Sequence, residues 1–351
     1  MDPAMNLQVL VHPEPDGTLS KAALEAIAAA RDLAAALRSP FTLGLIGSDA
    51  GPAASRAGSC GAACVRAVSG PEFSQPRYAS DAAAGEALCR AAGTQIAIVP
   101  ATPRWLRVAG GLAQRLDGRV DTHVTTVSAA GGTVSITRWF YRQRIEGTVS
   151  RTERPWIIAI EPGAYEPWGG APAPMDVEEV VVSLPAARTT VTGVRSPSSG
   201  EQTVRPDADV LFVAGAGWTK KQADGLTHAR QAEDLILGFL RASQASLGGS
   251  KSLVDQSGEG EPVLPFMSHL NQVGQTGSSP RHRKGLATCC HGEEPHVVGW
   301  RFITERRAVN LNPNCGWAQG KADVLYVADA FEVMEKINDC LHQPSGPSSE
   351  S

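Results

Sequence analysis

Asn271-Gln272-Val273-Gly274-Gln275-Thr276-Gly277 is the stretch of this chain that says most about its fold. A second glycine-containing segment, Gly248-Gly249-Ser250-Lys251-Ser252-Leu253-Val254-Asp255, precedes it, and Ala308-Val309-Asn310-Leu311-Asn312-Pro313 follows it. One glycine-rich heptapeptide carries little information by itself. The order of the three segments along the chain is more specific than any one of them.

Short apolar runs alternate with helical patterns in the first half of the chain. Residues 7–11, 41–47 and 96–100 are apolar and are read as buried strands. Ser20 is a candidate N-cap for a helix that follows the first run, and Ala82–Ala92 is compatible with another helix. This alternation predicts parallel β-α-β units with helices on both faces of the sheet.

The pattern changes after Arg119. Residues 120–128, 133–140 and 148–161 are rich in Thr, Val and Ile, which predicts antiparallel strands. We therefore expect an α/β fold with two domains: an N-terminal nucleotide-binding-like domain with added antiparallel strands, and a C-terminal domain built on a parallel sheet.

The boundary between the domains is predicted where Ser, Pro and Gly accumulate. Residues 196–206 have the composition of a linker, which leaves residues 1–195 for the first domain. Residues 207–343 form the second, with a long helix expected over residues 221–246. The polar residues 344–351 are expected to be a disordered tail.

Composition excludes several classes of function. The net charge of −4 offers no basic excess for nucleic acid, and no apolar run is long enough to cross a bilayer. The first residues lack the apolar stretch of a signal peptide. With seven cysteines, an odd number, the chain is expected in the cytoplasm with reduced thiols.

A strand that runs into a Gly-x-Gly turn begins the second domain, with the glycines at Gly215 and Gly217. Backbone amides exposed at such a turn can hold a phosphate, but many α/β loops carry two glycines only for tight turning. The chain has no complete G-x-G-x-x-G after its first strand and no P-loop lysine pattern. A standard NAD-dependent dehydrogenase is therefore not expected.

The three segments of the second domain resemble the flavin-binding domain of the electron transfer flavoprotein alpha subunit. The resemblance covers most of residues 205–341 and, more loosely, the N-terminal half. Its most specific part is Gln272–Gly277, which matches the family's Q-V-G-Q-T-G without change. In the family this loop contacts the flavin, which implies that Thr276 lies near the ring with Val273, Gly274 and Gln275 as its supporting wall.

Two further segments carry the resemblance, each with changes. Gly248-Gly249-Ser250-Lys251 is similar to the family's G-A-S-R, so Ser250 and Lys251 are implied to face the flavin. Lysine keeps the positive charge of the family arginine but loses its planar fork. The family's S-G-A-I-Q-H corresponds to residues 291–296, where His291 and His296 are implied cofactor contacts. Glu293 and Glu294 replace small and apolar residues there, and carboxylates near an anionic cofactor are unfavourable.

The adenosine side of the cofactor is implied by later residues. Asn312 is matched with the asparagine of the family's A-I-N segment, and Asp329 with an aspartate near the adenine or ribose. Ala322-Asp323 is similar to the family's A-D dipeptide. Ala216 stands where the family has an arginine, so one phosphate contact is expected to be missing.

The resemblance implies an electron carrier that binds FAD, pairs with an electron transfer flavoprotein beta subunit in a heterodimer, and passes electrons from a dehydrogenase to an acceptor such as a quinone oxidoreductase. AMP is possible in the partner beta subunit. No catalytic residue, metal ligand, nucleic acid or membrane insertion is expected. Residues 1–195 would contact the beta subunit.

Two alternatives remain at this point. One is a binding or regulatory protein of the same fold that has lost its flavin. The other is a carrier with a different redox group, held by His291, His296, Cys289 or Cys290.

Overall fold

A computed structural model describes residues 5–141, 145–184, 186, 188–193, 205, 208–255, 263–273, 282–288, 303–314 and 322–342 of the chain. The chain divides into two compact units, residues 1–194 and 195–351. Each unit contains its own sheet and its own apolar cores. The α/β class predicted from the sequence is confirmed.

The first unit is built on a mixed sheet covered by helices. Within its described residues the strands are β1 (Leu7–Val11), β2 (Phe41–Gly47), β3 (Cys64–Ser69), β4 (Ile96–Pro100), β5 (Arg119–Ala130), β6 (Thr133–Phe140), β7 (Ile145–Ser150), β8 (Trp156–Ile160) and β9 (Val177–Glu179). The helices are α1 (Lys21–Leu37), α2 (Gly51–Ala57), α3 (Tyr78–Ala92) and α4 (Pro103–Arg115), with a 3₁₀ turn at Pro71–Phe73.

The order of the strands across this sheet is β7-β6-β5-β8-β4-β1-β2-β3-β9. The pairings of β6 with β5 and β7 are antiparallel, and the other pairings are parallel. Alternate side chains of β1 enter different cores, because successive residues of a strand point to opposite faces. Val9 and Val11 join the core that contains α1, whereas Leu10 joins the core that contains α3 and α4. The expected N-cap is present, since the Ser20 hydroxyl accepts a hydrogen bond from Ala23 N.

The second unit has a parallel sheet in the order β11-β10-β12-β13-β14. Its described strands are β10 (Val210–Ala214), β11 (Ser246–Gly249), β12 (Lys284–Thr288), β13 (Glu305–Val309) and β14 (Val324–Tyr326). The described helices are α5 (Ala229–Ser243), α6 (Lys251–Asp255) and α7 (Ala330–His342), with 3₁₀ turns at Ala216–Thr219 and His269–Asn271. Helices α5 and α7 cover one face of this sheet, where Phe212 lies in the core.

The structure corrects three segment predictions. Residues 148–161 do not form one antiparallel strand: β7 ends at Ser150, and β8 is a separate strand that pairs in parallel with both β4 and β5. Helix α5 starts at Ala229, not near 221, because residues 221–227 form a turn closed by a bridge between Lys221 and Thr227. The sequence of residues 178–184 also predicts a strand, but the strand in this region, β9, ends at Glu179.

Candidate functional site

The carboxyl edge of the parallel sheet in the second unit gathers the described residues of the predicted site. Ser250 and Lys251 directly follow β11, Asn312 follows β13, and Asp329 follows β14. Strand β11, which follows β10 in the chain, lies on one side of β10 in the sheet, and β12 lies on the other side. The direction of the strand order therefore reverses at β10. Ligands of open parallel sheets bind outside the carboxyl ends of the strands at such a reversal. The structure therefore brings four sequence-predicted residues to the edge where this fold binds ligands.

Ser250 is held by the start of helix α6. Its backbone N donates to Ala214 O at 2.9 Å, and its hydroxyl accepts from Leu253 N at 3.2 Å. These two bonds attach the turn after β11 to the end of β10. The residue is nearly buried, so its position relative to the sheet edge is well defined.

Lys251 extends into solvent, with 53 % of its side chain exposed. Its ammonium lies 3.8 Å from Asp255 Oδ2, one turn later in α6. Asp255 also lies 3.5 Å from His269 Nδ1. An exposed pair of this kind contributes little to stability, so the ammonium can leave it for a more strongly anionic ligand.

The heptapeptide of residues 271–277 starts against β11. Val273 N donates to Gly249 O at 3.0 Å, and Gln272 forms a parallel bridge with Gly249. The side-chain Nδ2 of Asn271 donates to Leu247 O at 3.4 Å, and its Oδ1 accepts from Ser268 N at 3.0 Å. Gly274, Gln275 and Thr276 lie outside the described residues, as do His291 and His296.

Two asparagines shape the turn after β13. Asn310 directly follows the strand, is nearly buried, and accepts from Asn312 N through its Oδ1 at 2.8 Å. Asn312 Oδ1 in turn accepts from Asn314 N at 2.9 Å. The sequence prediction chose Asn312 and missed Asn310. The apolar pair Ala308-Val309 directly before it could have shown that Asn310 is the residue at the strand end.

Asp329 is the N-cap of helix α7. Its Oδ1 accepts hydrogen bonds from Phe331 N at 2.8 Å and from Glu332 N at 3.3 Å. Asp323, also matched in the resemblance, precedes β14 and so lies at the opposite edge of the sheet. Hydrogen bonds from the side chain and backbone of Arg306 lower the pKa of Asp323. The structure therefore separates Asp323 from the other candidate residues.

Trp218 is a further residue at this edge that the sequence prediction missed. It is fully buried in the turn at Ala216–Thr219, and its Nε1 donates to Thr288 Oγ1 at 2.9 Å. Its ring centroid lies 4.5 Å from that of Phe331 in α7. A tryptophan directly after a Gly-x-Gly turn is the sequence signal that could have indicated a packed turn in place of an open phosphate cradle.

The first unit has a strand reversal of its own, between β1 and β4. His12, directly after β1, is buried there, with its Nε2 3.7 Å from Asp81 Oδ1 and its ring 4.6 Å from that of Trp105. Neither ring nitrogen has a hydrogen-bond partner among the described residues. Burial lowers the pKa of His12 to about 4, so the imidazole is neutral at pH 7.

Asp81 itself is bound by Arg104. The guanidinium donates from Nη2 to Oδ1 at 2.7 Å and from Nε to Oδ2 at 2.9 Å, a two-point pairing. Burial opposes the charge on Asp81, but its close contacts with His12 and Arg104 outweigh burial and lower the pKa of the carboxyl. Protein side chains therefore fill the position that the reversal would otherwise offer to a ligand.

Comparison with known proteins identifies the family of the first unit. The family model described as the electron transfer flavoprotein domain matches residues 8–188, just over half of the chain. None of the curated proteins compared with the chain matches it. Within the described residues, no helix has the length and apolar character to span a membrane, and no group of three His, Cys, Asp or Glu side chains is arranged to hold a metal.

The family match falls on the half of the chain where the resemblance was looser and ends ahead of the second unit. The second unit has a parallel sheet with polar residues at its carboxyl edge, which is where ligands of such sheets bind. This chain belongs to the electron transfer flavoprotein domain family.

Proposed function

We propose that this chain is an electron transfer flavoprotein alpha subunit that binds FAD and carries electrons from a dehydrogenase to an acceptor such as a quinone oxidoreductase. The observation that carries the proposal is the arrangement of Ser250, Lys251, Asn312 and Asp329 along one carboxyl edge, beside the start of the heptapeptide of residues 271–277.

The extent of this edge supports an elongated cofactor. Ser250 and Lys251 follow the strand at one end of the sheet, and Asp329 follows the strand at the other end. Four strand-to-strand steps of about 4.8 Å separate these strands, or about 19 Å in total. A dinucleotide can reach both ends, whereas a mononucleotide would leave one set of residues unused. The described residues therefore fit FAD.

Each described residue has a role that its chemistry allows. The Lys251 ammonium stabilises negative charge on the flavin side, and the Ser250 amide and hydroxyl fix the turn that presents it. Asn310 and Asn312 hold the turn after β13 toward the adenosine side, and Asp329 is the acceptor for a sugar hydroxyl. Bound FAD supplies the electron-accepting ring, and the protein sets its orientation and surrounding charge.

Residues outside the described part of the chain complete the proposal. Gly274, Gln275 and Thr276 would form the flavin wall, and His291 and His296 would contact the flavin from the following loop. The partner is a beta subunit, in a heterodimer in which AMP binds to that partner. The cytoplasmic location expected from the sequence stays a prediction.

The absorption spectrum of the chain co-expressed with a beta subunit tests this function. We expect flavin bands at close to one FAD per heterodimer, and reversible bleaching on reduction. A correctly assembled but colourless heterodimer would contradict the proposal. Metal analysis of the same sample distinguishes a carrier with another redox group.

A second candidate is a binding protein of this fold without flavin, and one observation favours it. Ala216 stands where the resemblance expects an arginine, and it is buried beside Trp218. The turn at Ala216–Thr219 therefore has no cationic side chain for a phosphate. The same spectrum separates the two candidates, because only the carrier is coloured.

A further inference from the structure

We propose that Gly248 and Val273 form a positioning pair. Because glycine has no side chain, Val273 can pack against residue 248, and the heptapeptide of residues 271–277 can start from the carboxyl edge of the sheet. The expected effect of this pair on bound flavin rests on the proposed function, whereas the packing of Gly248 against Val273 does not.

The contact between the two residues leaves no room for a methyl group. A Cβ at Gly248 would lie 2.4 Å from Val273 Cγ2 and 3.2 Å from Leu211 Cδ1. Non-bonded carbon atoms are at their optimum near 3.5–4.0 Å, so Val273 would have to move by about 1 Å. Val273 cannot move away by a change of rotamer alone, because a β-branched side chain has few rotamers and this one is buried in the same apolar cluster as Leu211 and Val213.

The displacement would break the attachment of the heptapeptide. Val273 N donates to Gly249 O at 3.0 Å, and Gln272 pairs with Gly249 in the same place. Moving Val273 away from β11 lengthens this hydrogen bond and opens the bridge. The attachment of residue 273 to the edge of the sheet thus depends on the absence of a side chain two positions before Ser250.

The neighbouring glycine provides a matched control. A Cβ at Gly249 would also meet an atom at 2.4 Å, but that atom is Met267 Cε, the end of a flexible side chain. Met267 can adopt another rotamer without moving backbone. The same substitution one residue later is therefore expected to leave the attachment of Val273 intact.

Amide hydrogen exchange of the full-length chain tests the pair without any cofactor. In Gly248→Ala we expect the Val273 amide to exchange about tenfold faster than in the wild type, because its hydrogen bond is lost. In Gly249→Ala the Val273 amide should exchange at the wild-type rate. The double variant Gly248→Ala/Val273→Ala adds a methyl group at residue 248 and removes both γ-methyl groups of Val273, including the one that the new Cβ would meet. It should restore slow exchange at residue 273.

The flavin readout separates this inference from the proposed function. In the heterodimer with bound FAD, Gly248→Ala should shift the flavin reduction potential, and the double variant should return it toward the wild-type value. Unchanged exchange at Val273 in Gly248→Ala, or no restoration in the double variant, would overturn the positioning pair. A wild-type heterodimer without flavin would overturn the proposed function and leave the exchange result to decide the pair.

Discussion

Asp121 accepts hydrogen bonds from three side chains of the first unit. Its fully buried carboxylate accepts from Arg138 Nη1 at 2.6 Å, from Trp156 Nε1 at 2.9 Å, and from Arg151. Asp121→Asn removes the negative charge and leaves the Arg138 and Arg151 guanidinium groups without their buried counterion. We expect a loss of about 3 kcal/mol in the free energy of unfolding, measured by urea denaturation.

A matched control for Asp121 is Glu153→Gln. Glu153 lies 3.6 Å from Arg119, with both side chains about half exposed, so the pair is screened by solvent. Its urea midpoint should stay at the wild-type value. Equal midpoints for Asp121→Asn and the wild type would show that Asp121 does not organise this part of the sheet.

His12 should make stability depend on pH. Its pKa is about 4 in the folded chain, against 6.5 for an ordinary histidine, because burial disfavours the charged ring. Below pH 6.5 the unfolded chain binds a proton that the folded chain does not, so stability falls as the pH drops toward 4. Asp81, which favours protonation, and Arg104 and Arg107, which oppose it, act on the same ring.

The size of this effect follows from the two pKa values. Between pH 7 and pH 5 we expect His12 to account for a loss of about 2 kcal/mol. His12→Leu should have a smaller loss of stability over this range, whatever its stability at pH 7. Urea denaturation of both proteins at the two pH values gives the comparison, and parallel pH profiles would exclude His12 as the cause.

At the scale of elements, Trp218 links the turn after β10 to β12 and to helix α7. Its indole donates to Thr288 Oγ1, and Thr288 Oγ1 donates in turn to Val213 O at 3.3 Å. Trp218→Phe keeps an aromatic ring against Phe331 but removes the donor. We expect a loss of about 1–2 kcal/mol in unfolding free energy, because the buried Thr288 hydroxyl no longer receives a hydrogen bond from the indole.

A double-mutant cycle with Thr288→Val isolates this hydrogen bond. The two substitutions together should destabilise the chain by about 1 kcal/mol less than the sum of their separate effects. Additive losses would mean that the indole acts only by filling space.

Local patterns predicted the elements better than their pairings. The bounds of β1, β2 and β4 follow from short apolar runs, which act within the strand itself. The central place of β8, between β4 and β5, depends on contacts with residues far away in the chain, so composition alone suggested an antiparallel strand. The start of α5 was missed because the turn before it is fixed by Gly225, whose φ is +79°.

The site was predictable to the same extent. Motif matching selected Ser250, Lys251 and Asp329, and the structure shows these residues directly after a strand or at the start of a helix. It missed Trp218 and Asn310, whose roles arise from hydrogen bonds to residues on other elements or in the same turn. It also gave no sign of the steric fit between Gly248 and Val273, which depends on how two separate segments pack.

At the scale of the whole molecule, each unit holds its own strands and buries its own apolar residues. The two cores of the first unit consist of residues 7–168, and those of the second of residues 211–334. Among the strands that the structure describes, each sheet contains only strands of its own unit. A unit with its own core and a complete set of strand pairings can fold independently.

We therefore expect a fragment of residues 1–194 to unfold in one cooperative urea transition, followed by circular dichroism. Asp121→Asn should destabilise this fragment by the same amount as the full-length chain, because the partners of Asp121 among the described residues, Arg138, Arg151 and Trp156, lie within it. A fragment without a cooperative transition would show that the first unit needs the second to fold. A cooperative fragment with a much smaller Asp121→Asn effect would show instead that its sheet is packed differently without the second unit.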